Sequence, residues 1–72
     1  MKHILIDVKG KKCPEPMVEF MRHARKARKG SELEIIGTHK PSKDEILMAA
    51  REMDMEIIEV SNGDVWRIVV KK

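Results

Sequence analysis

Only one cysteine, Cys13, occurs in the 72 residues of this chain. A lone thiol cannot close an internal disulfide, which excludes a disulfide-stapled secreted module, and it cannot run the dithiol cycle of a C-x-x-C protein. Aromatic residues are nearly as scarce, Phe20 and Trp66 alone, so the stacking platforms of single-strand RNA binders are missing. No apolar run approaches the ~18 residues of a membrane span. The N-terminal apolar run, Ile4 to Val8, is short and interrupted by Asp7, so neither a signal peptide nor a membrane partner is expected, and the expected location is cytoplasmic. His3, His23 and His39 are scattered. With Cys13 they give no ligand spacing, and neither a metal nor a cofactor is expected.

What is present fits a single domain over residues 1–72. A chain this short buries only about 60% of its unfolded surface, so function belongs on the surface or at a shallow edge. Charged residues make up 38% of the sequence, yet the net charge is only +3, too mild to imply nucleic acid by itself. Their distribution says more. Arg22, His23, Arg25, Lys26, Arg28 and Lys29 fall within eight residues. Such a run is either the solvated face of a helix or a docking surface for an acidic partner or RNA.

Apolar periodicity sets the elements. His3–Val8 alternates, with Ile4, Ile6 and Val8 on one face, and predicts a strand that Gly10 ends. Residues 14–29 predict a helix, with Met17, Phe20, Met21, Ala24 and Ala27 on one stripe. Pro14 suits its first position, Pro16 its first turn, and Gly30 a left-handed stop. Glu32–Gly37 predicts a second strand, with Leu33 and Ile35 inward. Ser42 and Glu45 form an expected capping box for a second helix, ending near Asp54 and burying Ile46, Leu47, Ala50 and Met53. Met48 and Met55 have no clear place in these patterns. Met55–Val60 and Val65–Val70 predict two more strands, joined by a hairpin at Asn62-Gly63, two residues that both tolerate positive φ. The order βαβαββ predicts an α/β (α+β) two-layer sandwich, a mixed four-stranded sheet with both helices on one face.

In such a sheet, sites form beyond the carboxyl ends of the parallel strands. The Lys9–Cys13 loop, the Thr38–Ser42 loop and the Asn62-Gly63 turn are expected to share that edge. The edge should be electropositive, because both helix N-termini point there. Cys13 is expected to cap the first helix, its sulfur facing the N–H groups of Glu15 and Met17. Lys11 and Lys12 add positive charge and Glu15 opposes it, so the thiol is expected to be more acidic than a free one. A lone cysteine is otherwise a small buried hydrophobe, but Lys, Pro and Glu neighbours predict exposure. His39 is either a proton donor or acceptor for that thiol or a solvated loop histidine. With no second cysteine, any sulfur that Cys13 accepts must leave to another molecule, which describes a carrier.

These residues carry a resemblance. Asp7-x-x-Gly10-x-x-Cys13-Pro14-x-Pro16 resembles the N-terminal signature of the TusA/SirA-like sulfur carrier proteins, and the likeness extends over the whole chain. It implies a two-layer sandwich similar to the C-terminal domain of a bacterial translation initiation factor. It also implies that Cys13 carries sulfur as a persulfide, in a sulfurtransferase-like carrier rather than a stand-alone catalyst. Lys11, Lys12, Pro14, Glu15, Pro16 and His39 would support Cys13. A cysteine desulfurase or rhodanese-like protein would be the donor. Destinations in the family include tRNA thiolation, molybdenum-cofactor maturation and dissimilatory sulfur metabolism. Many members place an acidic residue before the proline of the second helix; here Lys40 precedes Pro41, which bears on the partner more than on the chemistry. Arg22, Arg25 and Lys26 are candidates for partner docking, and the free protein is expected to be a monomer. The alternative is a small RNA-binding or regulatory module using the basic first helix and loops. A redox-sensing thiol is a third reading.

Overall fold

A computed structural model describes residues 3–72. Strand β1 (His3–Val8) leads into helix α1 (Glu15–Lys26), strand β2 (Glu32–Gly37), helix α2 (Lys40–Glu52), and strands β3 (Glu56–Ser61) and β4 (Trp66–Lys71). The sheet order is β1-β2-β4-β3. β1 and β2 are parallel, and β4 is antiparallel to both neighbours, so the sheet is mixed. The helices touch each other and the sheet, which gives the two-layer βαβαββ sandwich that the periodicity predicts.

The core lies between the layers. Ile6, Val8, Leu33, Ile35, Ile68 and Val70 point inward from the sheet, against Phe20 and Ala24 of α1 and Ile46 and Ala50 of α2. Met55 is buried just before β3, whereas Met48 faces solvent on α2. The largest core side chain is Trp66. It stands opposite Gly37, whose other neighbour is Val8. A Cβ on Gly37 would lie 2.5 Å from the indole Cζ2 and 2.9 Å from Val8 Cγ2. Only glycine leaves room for the ring there. The indole Nε1–H donates to the His39 carbonyl at 3.0 Å and so pins the start of α2 to the sheet.

The helix ends depart from expectation. α1 stops at Lys26 rather than at residue 29, because Ala27 turns extended (φ −69°, ψ 143°). The Lys72 ammonium closes this end, donating to the carbonyls of Ala24 and Ala27 at 2.7 and 2.8 Å, where a cation is favoured by the helix dipole. Gly30 does adopt positive φ (94°), but three residues beyond the helix cap. α2 starts at Lys40, with His39 as its cap and Pro41 in its first turn. Ser42 and Glu45 are therefore already inside the helix, and the capping box does not form. The Ser42 N–H goes to the His39 carbonyl instead, at 3.2 Å. At its far end Asp54 takes the left-handed conformation (φ 59°), with Asp54 N–H to Arg51 O and Met55 N–H to Ala50 O, the bonding of a Schellman cap.

β3 and β4 each begin one residue later than predicted, and their link is the four-residue stretch 62–65. Only Gly63 there has positive φ, 143°, so the two-residue Asn-Gly turn is not formed. The register jumps between Ile57 and Glu59, a bulge that leaves Ile58 exposed.

The sheet's outer face carries a charged cluster. Arg67 bridges Glu34, at 2.5 Å, and Glu59, at 2.6 Å, and His3 Nε2 lies 2.9 Å from Glu34. Hydrogen bonds from Arg67 and then His3 hold the Glu34 carboxyl below its ordinary value. Val69 sits on this face and is nonetheless buried.

Candidate functional site

The registers Val8↔Gly37↔Trp66 put the ends of β1 and β2 and the start of β4 in one row. The β1–α1 and β2–α2 loops leave from that row. The first is shaped by the residues of the Asp-x-x-Gly-x-x-Cys-Pro-x-Pro pattern. The Asp7 carboxylate accepts the Lys9 N–H at 3.0 Å, and Lys11 N–H returns to the Val8 carbonyl at 3.1 Å. Gly10 takes a positive φ of 81°, a conformation costly to residues with a Cβ. In that conformation its N–H donates to the Thr38 hydroxyl at 3.0 Å. The two loops are thereby fastened together, and Thr38, placed by sequence only as a neighbour of the site, is the side chain that does it.

Cys13 is an exposed free thiol. It does not cap α1. The cap position belongs to Pro14, no side-chain cap hydrogen bond is made there among the described residues, and Pro16 is buried in the first turn. The Glu15 N–H, an expected partner of the sulfur, is taken by the Lys12 carbonyl at 2.9 Å. The Cys13–Pro14 peptide bond is cis. The sulfur finds its partner across the molecule: Sγ donates to Glu45 Oε1 of α2 at 3.1 Å.

This overturns the expectation of an acidic thiol. The hydrogen bond to the Glu45 carboxylate is the largest cause, and partial desolvation and the charge of Glu45 add to it. Together they push the Cys13 thiol above its ordinary value. Each disfavours the thiolate. Lys11 and Lys12 are exposed, and neither forms an ion pair among the described residues. Glu45 was legible only as half of a capping box. Its reach to the first loop depends on how α2 lies against α1, which no local pattern encodes.

His39 is half-buried, and its Nδ1 lies 2.7 Å from Ser42 Oγ. Its ring is engaged within the first turn of α2 rather than with the sulfur. Lys11, Pro14, Glu15 and Arg22 do come together. With Val18 and Glu19 they line a shallow groove of about 230 Å³ along α1, beside the motif. Arg25 and Lys26 are exposed in the last turn, roughly 16 Å along the helix axis from Glu15. Lys26 borders a separate hollow with His3 and His23. The three basic docking candidates therefore do not form one patch with Cys13. Glu45 itself lines a second small groove, about 170 Å³, with Met17, Met48, Ala49 and Glu52. Among the described residues no His, Cys, Asp and Glu cluster is arranged to hold a metal ion. Among the described residues no helix is long and apolar enough to cross a membrane.

Comparison with known proteins places this geometry in context. The family model for sulfurtransferase TusA matches residues 4–72. A protein of Archaeoglobus fulgidus is 30% identical over 70 residues, covering 96% of both chains. One of Methanocaldococcus jannaschii is 29% identical over 68 residues, covering 93% of this chain and 91% of the relative. Both of those proteins are described by the words "putative sulfur carrier protein".

Proposed function

This chain belongs to the TusA sulfurtransferase family, a family of sulfur carriers, and on that premise we propose that it carries sulfane sulfur on Cys13 as a persulfide. One observation supports this reading above the others. The only cysteine is an exposed thiol on the loop between β1 and α1, within the matched region. A shallow, open setting suits a carrier, because a donor cysteine must come within bonding distance of the sulfur.

In loading, the Cys13 sulfur attacks the outer sulfur of a persulfide on a donor protein such as a cysteine desulfurase or rhodanese-like protein. The Sγ–S bond forms and the bond from that sulfur to the donor cysteine breaks. The donor cysteine leaves with the electron pair and takes up the proton that Cys13 gives up. In unloading, an acceptor nucleophile attacks the same outer sulfur and Cys13 departs as the leaving group. The acceptor belongs to tRNA thiolation, molybdenum-cofactor maturation or another branch of sulfur metabolism. No resolving thiol is required in the chain, which matches its single cysteine. The groove of Lys11, Pro14, Glu15, Val18, Glu19 and Arg22 is the surface beside the sulfur that a partner would cover first.

Incubation with a cysteine desulfurase and cysteine, followed by intact mass measurement, tests this. The wild type should gain the mass of one sulfur atom and lose it to a reducing thiol, and Cys13→Ser should gain nothing. No adduct, or the same adduct on both proteins, would overturn the reading.

A further inference from the structure

Among the described residues Glu45 is the one side chain hydrogen-bonded to the sulfur, and the carrier reading gives it no part. We propose that Glu45 weights the sulfur equilibrium of this carrier toward release, because its carboxylate favours a protonated sulfur at Cys13 and opposes a charged one. The inference rests on the persulfide reading above.

The transfer is Cys13–SH + R–S–S⁻ ⇌ Cys13–S–S⁻ + R–SH, with R the partner's cysteine. One Sγ–S bond forms and one S–S bond to R breaks. The Cys13 proton passes to the sulfur of R, and no net oxidation occurs. The two states of Cys13 meet Glu45 differently. Empty, the thiol donates its hydrogen to Oε1 at 3.1 Å, a charge-assisted hydrogen bond. Loaded, Sγ has no hydrogen to donate. A persulfide is also a stronger acid than a thiol, so its outer sulfur is negative at neutral pH and faces a negative carboxylate. Both changes favour the empty state.

No other charged group on the neighbouring segments is hydrogen-bonded to the sulfur among the described residues. Lys11 and Lys12 precede it on its own loop and Glu15 follows it, and none bonds to Sγ. On α1, Glu19 and Arg22 face the outer groove with Lys11. On α2, Glu52 lies along the same groove as Glu45 and adds negative charge. The direction of the thiol's titration agrees, since the Glu45 hydrogen bond raises it.

Wild-type protein loaded with persulfide, mixed with heavy-nitrogen-labelled Glu45→Gln thiol and brought to equilibrium, reads the effect by intact mass. The Gln variant should hold the sulfur in about fivefold excess, the factor implied by unit charges about 4 Å apart in water. Glu45→Asp, which keeps the charge, should stay close to the wild type and controls for loss of folding. An even partition, or one favouring the wild type, would overturn the proposal while leaving the carrier reading intact. A wild type that takes no sulfur would overturn both. Alkylation by iodoacetamide against pH involves no sulfur transfer. Its midpoint should fall in Glu45→Gln, and an unchanged or higher midpoint would contradict the role given to the carboxylate.

Discussion

Replacing Gly37 with alanine puts the most stress on the joint between core and site. The added Cβ would lie 2.5 and 2.8 Å from two carbons of the Trp66 ring and 2.9 Å from Val8 Cγ2. Neither neighbour has space to withdraw, since both are 1% exposed. Gly37 itself is paired to Val8 on one side and Trp66 on the other. Overpacking of a filled core costs about 1–3 kcal/mol. If the indole shifts, its hydrogen bond to the His39 carbonyl at 3.0 Å is lost as well, for about 1 kcal/mol more. A loss of about 2–4 kcal/mol is large for a domain this size, whose total is typically about 4–11 kcal/mol. It should lower Tm by roughly 8–32 °C, at about 4–8 °C per kcal/mol. Urea unfolding followed by circular dichroism gives the free energy, and the fluorescence of the single tryptophan reports its surroundings directly. The same substitution loosens the anchor of α2, so the alkylation midpoint of Cys13 should move back toward that of a free thiol as Glu45 loses its fixed position. A variant within about 0.5 kcal/mol of the wild type, the range of an ordinary surface change, would refute this account of the Gly37–Trp66 contact.

Two further outcomes follow from contacts distant in sequence. Lys72→Ala removes two hydrogen bonds to the last carbonyls of α1 and should cost about 1–2 kcal/mol, measured by urea titration; no change would mean that water satisfies those carbonyls equally well. Glu34 is held below its ordinary value by Arg67 and His3, so it is the unfolded chain that takes up its proton more readily. The stability it supplies is complete above the unfolded value of about 4.3 and is lost as pH falls through the folded value. Glu34→Gln should therefore be less stable at neutral pH, with its curve converging on the wild-type curve in acid; parallel curves would show that the cluster contributes nothing through this group.

The strands were legible because alternation is a local signal. β1 and β2 fall at the predicted residues, and the inward faces of Ile6, Val8, Leu33 and Ile35 follow from period two. The stripe of α1 was legible for the same reason. Helix ends were harder, because their partners come from elsewhere. Lys72 closes α1 from the far end of the chain, and nothing within residues 14–29 signals it. Ser42 and Glu45 have the spacing of a capping box, but Pro41 is compatible with the first turn and α2 starts before it. That one displacement frees Glu45 to meet Cys13. It also explains why the thiol's titration was expected to move the wrong way: lysines and a helix end are visible in sequence beside Cys13, whereas a carboxylate 32 residues away is not. The exposure of Cys13 was legible from its polar neighbours, and the loop that holds it from the pattern that begins at Asp7.

The central claim is that Cys13 holds a sulfur atom in order to pass it on. Loading with isotopically labelled cysteine and a desulfurase, removing the donor, and then adding an acceptor thiol follows that atom through both steps. Label should appear on the peptide containing Cys13 after loading, and then one labelled sulfur on the acceptor for each one lost from Cys13. Label that never reaches the Cys13 peptide, or that stays there in the presence of excess acceptor, would contradict it.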